Sequence, residues 1–160
     1  MLVVDDNDAV RAVLRRTLES RDHRVQEADS ADAALVAVAE NPSIDLVISD
    51  IRMPRHDGIW LLSELGRRYP DVGVLMISGN GDLDTAVKCL QAGALDFLSK
   101  PVVPAEVVAR IDKALEKREM AAVIRRFQKQ YQADLEARVH ELSRKNQEMF
   151  LAQEQMAVRM

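Results

Sequence analysis

At 160 residues, of which 48% are hydrophobic, the chain is long enough to bury the core of one ordinary domain. Its formal net charge of -4 excludes the broad positive field expected of a protein that binds nucleic acid or an anionic membrane, so neither partner is predicted. A single cysteine excludes an internal disulfide framework, and no apolar run approaches the roughly 18 residues of a membrane span. We therefore expect a cytoplasmic protein.

Five short apolar runs in the first part of the chain predict five strands. They comprise residues 2–4, Val25, and residues 46–48, 74–77 and 97–98. The longer runs are continuously apolar, as expected of strands that are buried on both faces of a sheet.

Helical patterns separate these runs. The first helix is predicted from apolar residues at three- and four-residue spacing between residues 10 and 18. Ser30 can cap a second helix, and Asp57 precedes a third. A fourth is expected from about residue 82 to residue 92, where Gly93 ends it, and Pro104 suits the first turn of a fifth. Strict alternation of strands and helices predicts an α/β fold, a doubly wound parallel sheet with helices on both faces.

Polar residues follow four of the predicted strands. Asp5 and Asp6 come after the first, Asp50 after the third, Ser78 after the fourth and Lys100 after the fifth. Ligands bind doubly wound sheets at the carboxyl ends of the strands, so these side chains are expected to converge. Three carboxylates favour a shared Mg²⁺ ion, while an ammonium and a hydroxyl suit phosphoryl oxygens.

Each acid taken alone has a simpler interpretation, because aspartate is common in turns and helix caps. The joint placement of five complementary groups argues against that interpretation for the strand-end set. Asp8 and Asp57, in contrast, are predicted to be helix-start residues rather than members of the site.

Residues 1–118 resemble the receiver domains of two-component response regulators, whose fold is flavodoxin-like. The resemblance is carried by residues 2–7, by residues 45–54 followed by Asp57-Gly58, and by residues 77–79 and 93–101. It implies that Asp50 accepts a phosphoryl group from a sensor histidine kinase or a phosphotransfer protein. It also implies that Asp5, Asp6, Asp50 and the backbone carbonyl of Arg52 bind Mg²⁺, and that Lys100 neutralises the phosphoryl charge.

The resemblance further implies a cis peptide bond between Lys100 and Pro101 and a switch formed by Ser78 and Phe97. Periodicity alone would instead make Phe97 an ordinary core residue. Ser78 replaces the commoner threonine without losing the hydroxyl, and Gly79 stands where alanine is frequent in the family.

The last third of the chain has a different texture, because all glycines and prolines lie at or before Pro104. We predict a helix from about residue 105 to residue 158, with residues 119–160 forming a coiled-coil linker or dimerisation segment. Asn146 at a buried seam position would favour a parallel homodimer, and the alternatives are a solvated helix or one packed on a neighbouring domain. The predicted seam comprises Leu135, Val139, Leu142, Asn146, Met149 and Met156.

The preferred function is phosphorylation-controlled signalling, without enzyme activity beyond self-phosphorylation and slow self-dephosphorylation. Two other classes remain open: a structural dimerisation adaptor that no longer responds to phosphate, and a free-standing hydrolase that uses the acidic pocket. The complete set of acids, Ser78 and Lys100 argues against the adaptor. The lack of a separate general base argues against the hydrolase. The tail is expected to lead into an output domain outside this sequence.

Overall fold

The computed structural model describes residues 1–79 and 83–158. These residues divide into one compact unit of Met1–Met120 and a second unit that begins at Ala121. Strands and helices alternate along the chain in the order β1 Leu2–Val4, α1 Asp8–Glu19, β2 Gln26–Ala28, α2 Ala31–Glu40, β3 Leu46–Asp50, α3 Gly58–Arg68, β4 Gly73–Ser78, α4 Leu83–Gln91, β5 Asp96–Ser99 and α5 Pro104–Val158.

The strands form one parallel sheet in the order β2-β1-β3-β4-β5, which confirms the predicted doubly wound, flavodoxin-like architecture. Val3 pairs with Ile48, and Ile48 pairs with Leu75, across the three central strands. The chain moves outward from β1 in one direction to β2 and in the other to β3. The carboxyl ends of β1 and β3 therefore lie at the topological switch point, where sheets of this kind bind ligands.

Successive side chains of a strand point to opposite faces, and this divides the core into two clusters. Val47 belongs to the cluster that contains Leu61 of α3 and Cys89 of α4. Its neighbour Ile48 belongs to the cluster that contains Leu14 of α1 and residues of α5. Both faces of the central strands are therefore covered, as their continuous apolar sequences predict.

One predicted strand was misplaced. Val25 lies just before β2, which contains Gln26–Ala28 and exposes its first two residues. The reason is that β2 lies at an edge of the sheet, where backbone pairing with β1 suffices and a polar sequence is tolerated. Val25 instead packs, half-buried, against the cluster on the α1 and α5 side.

Side-chain caps begin the helices that follow β1, β2 and β3. Asn7 caps α1 by accepting hydrogen bonds from the backbone N–H groups of Ala9 and Val10, and Asp8 is the first helical residue. Asp57 caps α3 in the same way. The predicted helix-start roles of Asp8 and Asp57 are confirmed, as is the cap at Ser30 of α2. Asp82, the expected start of α4, lies outside the described residues.

The fifth helix begins at Pro104 and continues to Val158, as the sequence predicts. In the first unit it buries Val107, Ile111 and Ala114. From residue 126 to residue 157 every side chain is exposed. In the part of the chain that the structure describes, no helix combines the length and the apolar content needed to cross a bilayer.

Candidate functional site

Three carboxylates meet at the carboxyl ends of β1 and β3. Asp5 follows the last residue of β1, and Asp50 is the last residue of the neighbouring β3. One carboxylate oxygen each from Asp5, Asp6 and Asp50 lie within 4.8 Å of one another. Asp5 and Asp50 are buried, at 1% and 5% exposed, whereas Asp6 is exposed. The site therefore has two buried acids and a third that faces solvent.

Lys100 follows β5 and reaches the same cluster. Its Nζ lies 2.8 Å from Oδ2 of Asp5 and 3.3 Å from Oδ2 of Asp50. Burial lowers the pKa of Lys100, but the hydrogen bond to Asp5 and the charges of both acids outweigh it, so the pKa is raised. The lysine is thus held as an ammonium ion next to the Asp50 carboxylate.

Burial is the main cause that raises the pKa of Asp50, and the negative charge of Asp5 adds to it. Lys100 and the backbone N–H of Arg52 oppose this effect by favouring the ionised carboxylate. One ammonium does not balance three carboxylates, so the cluster retains negative charge. A set of hard oxygen donors with excess negative charge fits Mg²⁺.

Ser78 ends β4 and is 3% exposed. The backbone N–H of Lys100 donates to the Ser78 carbonyl oxygen over 2.7 Å, which ties the ends of β4 and β5 together. A cleft of about 560 Å³ opens beside Ser78, and its other walls include Arg52, Asp57 and Thr85. The peptide bond between Lys100 and Pro101 is cis.

The structure also gives the positions of Phe97, Arg52 and Gly79. Phe97 is half-buried on β5 and packs against the core cluster that contains Leu61 and Cys89, so its switch role stays a prediction. Arg52 lies in the loop after Asp50. That its backbone carbonyl binds the metal ion also stays a prediction. At Gly79 a Cβ atom would meet, among the described residues, only the Lys100 side chain, at 3.9 Å, so these neighbours leave room for an alanine.

Sequence reasoning assigned no role at the site to three residues that support it. The Ser49 hydroxyl donates to the Asp50 carbonyl oxygen over 2.9 Å. Gly58 lets α3 approach Asp50, since a Cβ atom there would lie 2.1 Å from the Asp50 carbonyl oxygen. Arg11 donates to the Asp5 carbonyl oxygen over 2.7 Å. The glycine after Asp57 was a usable signal, whereas nothing in the sequence indicates where the Arg11 or Ser49 side chain points.

The predicted seam residues recur at three- and four-residue spacing from Leu135 to Met149, and Met156 follows seven residues later, so all of them lie on one face of α5. All of them are exposed in the single chain: Leu135 at 44%, Val139 at 62%, Leu142 at 61%, Met149 at 61% and Met156 at 66%, with Asn146 also exposed.

A flavodoxin-like sheet with these acids and a lysine at its switch point defines a receiver-type protein. The family described as response regulator receiver domain matches residues 1–112, so the chain belongs to that family. Receiver domains are regulatory phospho-accepting domains that work with histidine kinases or phosphotransfer proteins and generally use Mg²⁺ at an acidic cluster.

Among curated proteins, the chain is 37% identical over 113 residues to the DNA-binding transcriptional regulator NtrC of Salmonella typhimurium, a match that covers 71% of this chain and 24% of that protein. It is 42% identical over 101 residues to the response regulator protein FleR of Pseudomonas aeruginosa, covering 63% of this chain and 21% of that protein. The chain thus spans about a quarter of the length of these relatives.

Among solved structures, the receiver domain of NtrX from Brucella abortus matches with 37% identity and a TM-score of 0.68, covering 72% of this chain and 97% of that one. The beryllofluoride-activated NtrC4 receiver domain dimer matches with 31% identity and a TM-score of 0.69, covering 73% of this chain and 96% of that one.

Proposed function

We propose that Asp50 accepts a phosphoryl group from the phosphohistidine of a sensor histidine kinase or phosphotransfer protein in a Mg²⁺-dependent reaction. The convergence of Asp50 with Asp5, Asp6 and Lys100 at the switch point of the sheet is the observation that carries this proposal. The chain's own reaction is limited to acquiring the phosphoryl group and slowly losing it.

In the transfer, an oxygen of the Asp50 carboxylate forms a bond to phosphorus while the bond from phosphorus to the donor imidazole nitrogen breaks. A carboxylate nucleophile carries no proton to remove, so a general base is unnecessary. The Lys100 ammonium, already 3.3 Å from Asp50, would pair with a phosphoryl oxygen. Ser78 would donate its hydroxyl to another phosphoryl oxygen. Positioning and charge neutralisation supply most of the acceleration in reactions of this type.

The donor set fits Mg²⁺, which Asp5, Asp6 and Asp50 would hold, with the Arg52 carbonyl as a further ligand. When bound, the ion would supply positive charge that this cluster lacks. Asp6 is the exposed member of the set and is the acid best placed to meet an incoming hydrated ion.

The test is incubation with Mg²⁺ and acetyl phosphate, a small phosphodonor, followed by intact-mass measurement. One added phosphoryl group is expected in the wild type, and none in Asp50→Asn. Asp112→Asn is the matched control, because it makes the same charge change at an exposed residue of α5 that lies outside the cleft beside Ser78. A wild type without an adduct would indicate the adaptor, and multiple turnover of the donor would indicate the hydrolase.

We also propose that residues 119–160 pair with a second copy as a parallel coiled coil and carry the receiver's state to an output domain. The seam follows a heptad repeat, with leucine or methionine at one of its two core positions and Asn146 at the other. This pattern supports a two-stranded, in-register pairing. Dimerisation of the beryllofluoride-activated NtrC4 receiver supports pairing within this fold family. The length of the curated relatives, about four times the matched region, supports an output domain after the tail.

Light scattering after size-exclusion chromatography, with and without beryllofluoride, tests the pairing. We expect a dimer at tens of micromolar protein, a monomer for Leu142→Lys, and a retained dimer for Gln147→Lys. Both variants add one positive charge to exposed residues of α5, but Gln147 lies off the seam. A monomeric wild type, or equal loss of pairing in both variants, would contradict the proposed seam.

A further inference from the structure

Arg11 has an unusual environment for an arginine on a surface helix. Its side chain is only 14% exposed, and Nη1 donates to the Asp5 carbonyl oxygen over 2.7 Å. Nη2 pairs with Asp8, and Nε faces Glu27 of β2 at 3.5 Å without a hydrogen bond. A buried donor left without a hydrogen bond costs free energy. The Arg11 side chain is therefore not in the position that would satisfy all of its own donors.

The carbonyl that Arg11 holds belongs to the peptide group that links Asp5 to Asp6. Three other contacts fix Asp5 itself: its N–H donates to Ala28, its carboxylate accepts from the Asn7 N–H over 2.8 Å, and Lys100 pairs with the same carboxylate. The Asp6 side chain has no hydrogen bond among the described residues, and it is exposed. The direction of the Asp6 carboxylate therefore depends on the orientation of the peptide plane that Arg11 fixes.

The charge of Arg11 is already balanced. Asp8 and Glu27 flank the guanidinium, and its contact within the acid loop is with a carbonyl rather than with a carboxylate. Its main effect on the acidic cluster is thus to hold the backbone, not to neutralise the three acids that an incoming cation would share.

We propose that Arg11 is a positioning residue that sets the Mg²⁺ affinity of the site by fixing the peptide between Asp5 and Asp6. The inference rests on the proposed function, since it assumes that these acids bind the ion. Residues that orient metal ligands through hydrogen bonds change metal affinity by roughly 10- to 100-fold when they are removed.

The test is calorimetric titration of the full chain with MgCl₂ in the absence of any phosphodonor. Arg11→Met is expected to weaken binding by about 10-fold or more. Arg15→Met is the matched control, because Arg15 lies one turn further along α1 and pairs with Glu19 and Glu27 without touching Asp5. Both variants remove one positive charge that faces Glu27. Arg11→Met also releases Asp8, whose freed negative charge favours cation binding, so weaker binding in Arg11→Met alone reports the loss of the hydrogen bond to the Asp5 carbonyl.

Equal affinities for Arg11→Met and Arg15→Met would overturn the positioning role while leaving the metal site intact. A wild type that takes up no Mg²⁺ would instead overturn the metal part of the proposed function. If Arg11→Met does not fold, Arg11→Lys is compared with Arg15→Lys. A several-fold weaker affinity for Arg11→Lys supports the role, since a lysine cannot reproduce the guanidinium's paired donors, and equal affinity overturns it.

A second readout is the amide exchange rate of Asp6 and Asn7, measured by nuclear magnetic resonance without metal. Faster exchange in Arg11→Met than in Arg15→Met is expected if the arginine fixes this loop. Unchanged exchange at both amides would contradict the proposed mechanism even if the affinity fell.

Discussion

The two units of this chain use similar apolar residues in opposite ways. Residues 1–120 bury leucine, isoleucine and valine in two clusters on either side of the sheet, and Leu75 and Ile48 are completely inaccessible. From residue 126 to residue 157, leucine, valine and methionine recur at helical spacing, yet every side chain is exposed. The first unit completes its core with its own residues, whereas the second presents an apolar stripe that a partner would have to cover.

The units also differ in how charge is arranged. In the receiver unit, Asp5, Asp50 and Lys100 are brought together from distant parts of the chain and largely removed from water. In the tail, the ion pairs join residues one helical turn apart and stay exposed, as between Lys145 and Glu141. Exposed pairs of this kind contribute little to stability. Charges crowded in a buried site cost desolvation and repulsion free energy, so their presence there indicates a function other than stability.

The largest effect is expected from truncating the receiver core. Leu75→Ala in β4 should lower the free energy of unfolding by about 2–5 kcal/mol, because the removed side chain leaves a cavity. Leu142→Ala in the tail should change it by less than about 0.5 kcal/mol under dilute, monomeric conditions. Denaturant unfolding followed by fluorescence of Trp60, the single tryptophan, reports on the first unit. Similar losses of unfolding free energy in both variants would contradict the distinction between a buried core in the first unit and an exposed tail.

A smaller effect is expected at two glycines of α3. Gly58→Ala places a Cβ atom 2.1 Å from the Asp50 carbonyl oxygen, so β3 or α3 must shift, at a cost of about 1–3 kcal/mol and with weaker phosphoryl uptake. Gly66→Ala, in the same helix, meets no atom of residues 1–79 or 83–158 within 4 Å and should stabilise by about 0.5–1 kcal/mol. Thermal unfolding combined with the acetyl phosphate assay measures both. Opposite signs are required, and a destabilised Gly66→Ala would count against the packing described for α3.

The fold was largely predictable because apolar periodicity controls both faces of the central strands. Continuous runs such as residues 46–48 have few alternatives to a buried parallel strand. The strand predicted at Val25 was wrong, because an edge strand needs only backbone pairing with β1 and leaves no apolar signature in Gln26–Ala28.

The acids and the lysine of the site were predictable because each ends a strand or comes within two residues after one, where the topology alone determines the neighbours. Arg11 was not predictable. A long arginine side chain on α1 can reach several groups, and its actual target depends on how α1 packs beside β2. The switch role of Phe97 was not predictable from periodicity either. Its position on β5 follows from the sequence, but a switch role depends on the orientation of its side chain in more than one state.

A substitution at Asn146 tests the seam proposed for the tail. Asn146→Leu replaces a polar seam residue by an apolar one and should lower the dimer dissociation constant by about tenfold. It should also remove the preference for one register that the asparagine provides. Sedimentation equilibrium of the full chain measures the dissociation constant. Gln147→Leu, one residue away and off the seam, is the control and should leave the constant unchanged. Equal behaviour of the two variants would mean that residue 146 does not lie in an interface.

The smallest effect is expected from the charge of Asp50, because Lys100 offsets part of its cost. Burial and the charge of Asp5 raise the pKa of Asp50, so the folded protein binds this proton more tightly than the unfolded chain. The associated stability is fully present below the ordinary aspartate pKa and is lost as the pH rises through the raised folded value.

Asparagine does not ionise and avoids that loss. In EDTA at pH 7, Asp50→Asn should therefore unfold at a higher temperature than the wild type, and the difference should shrink in acid. Asp112→Asn, the same substitution at an exposed position outside the site, should show no such pH dependence. Added Mg²⁺ should reverse the order by stabilising the ionised wild type, since a ligand that binds only the folded state stabilises it. Identical melting of wild type and Asp50→Asn across this pH range would show that the crowded carboxylates cost the receiver unit nothing.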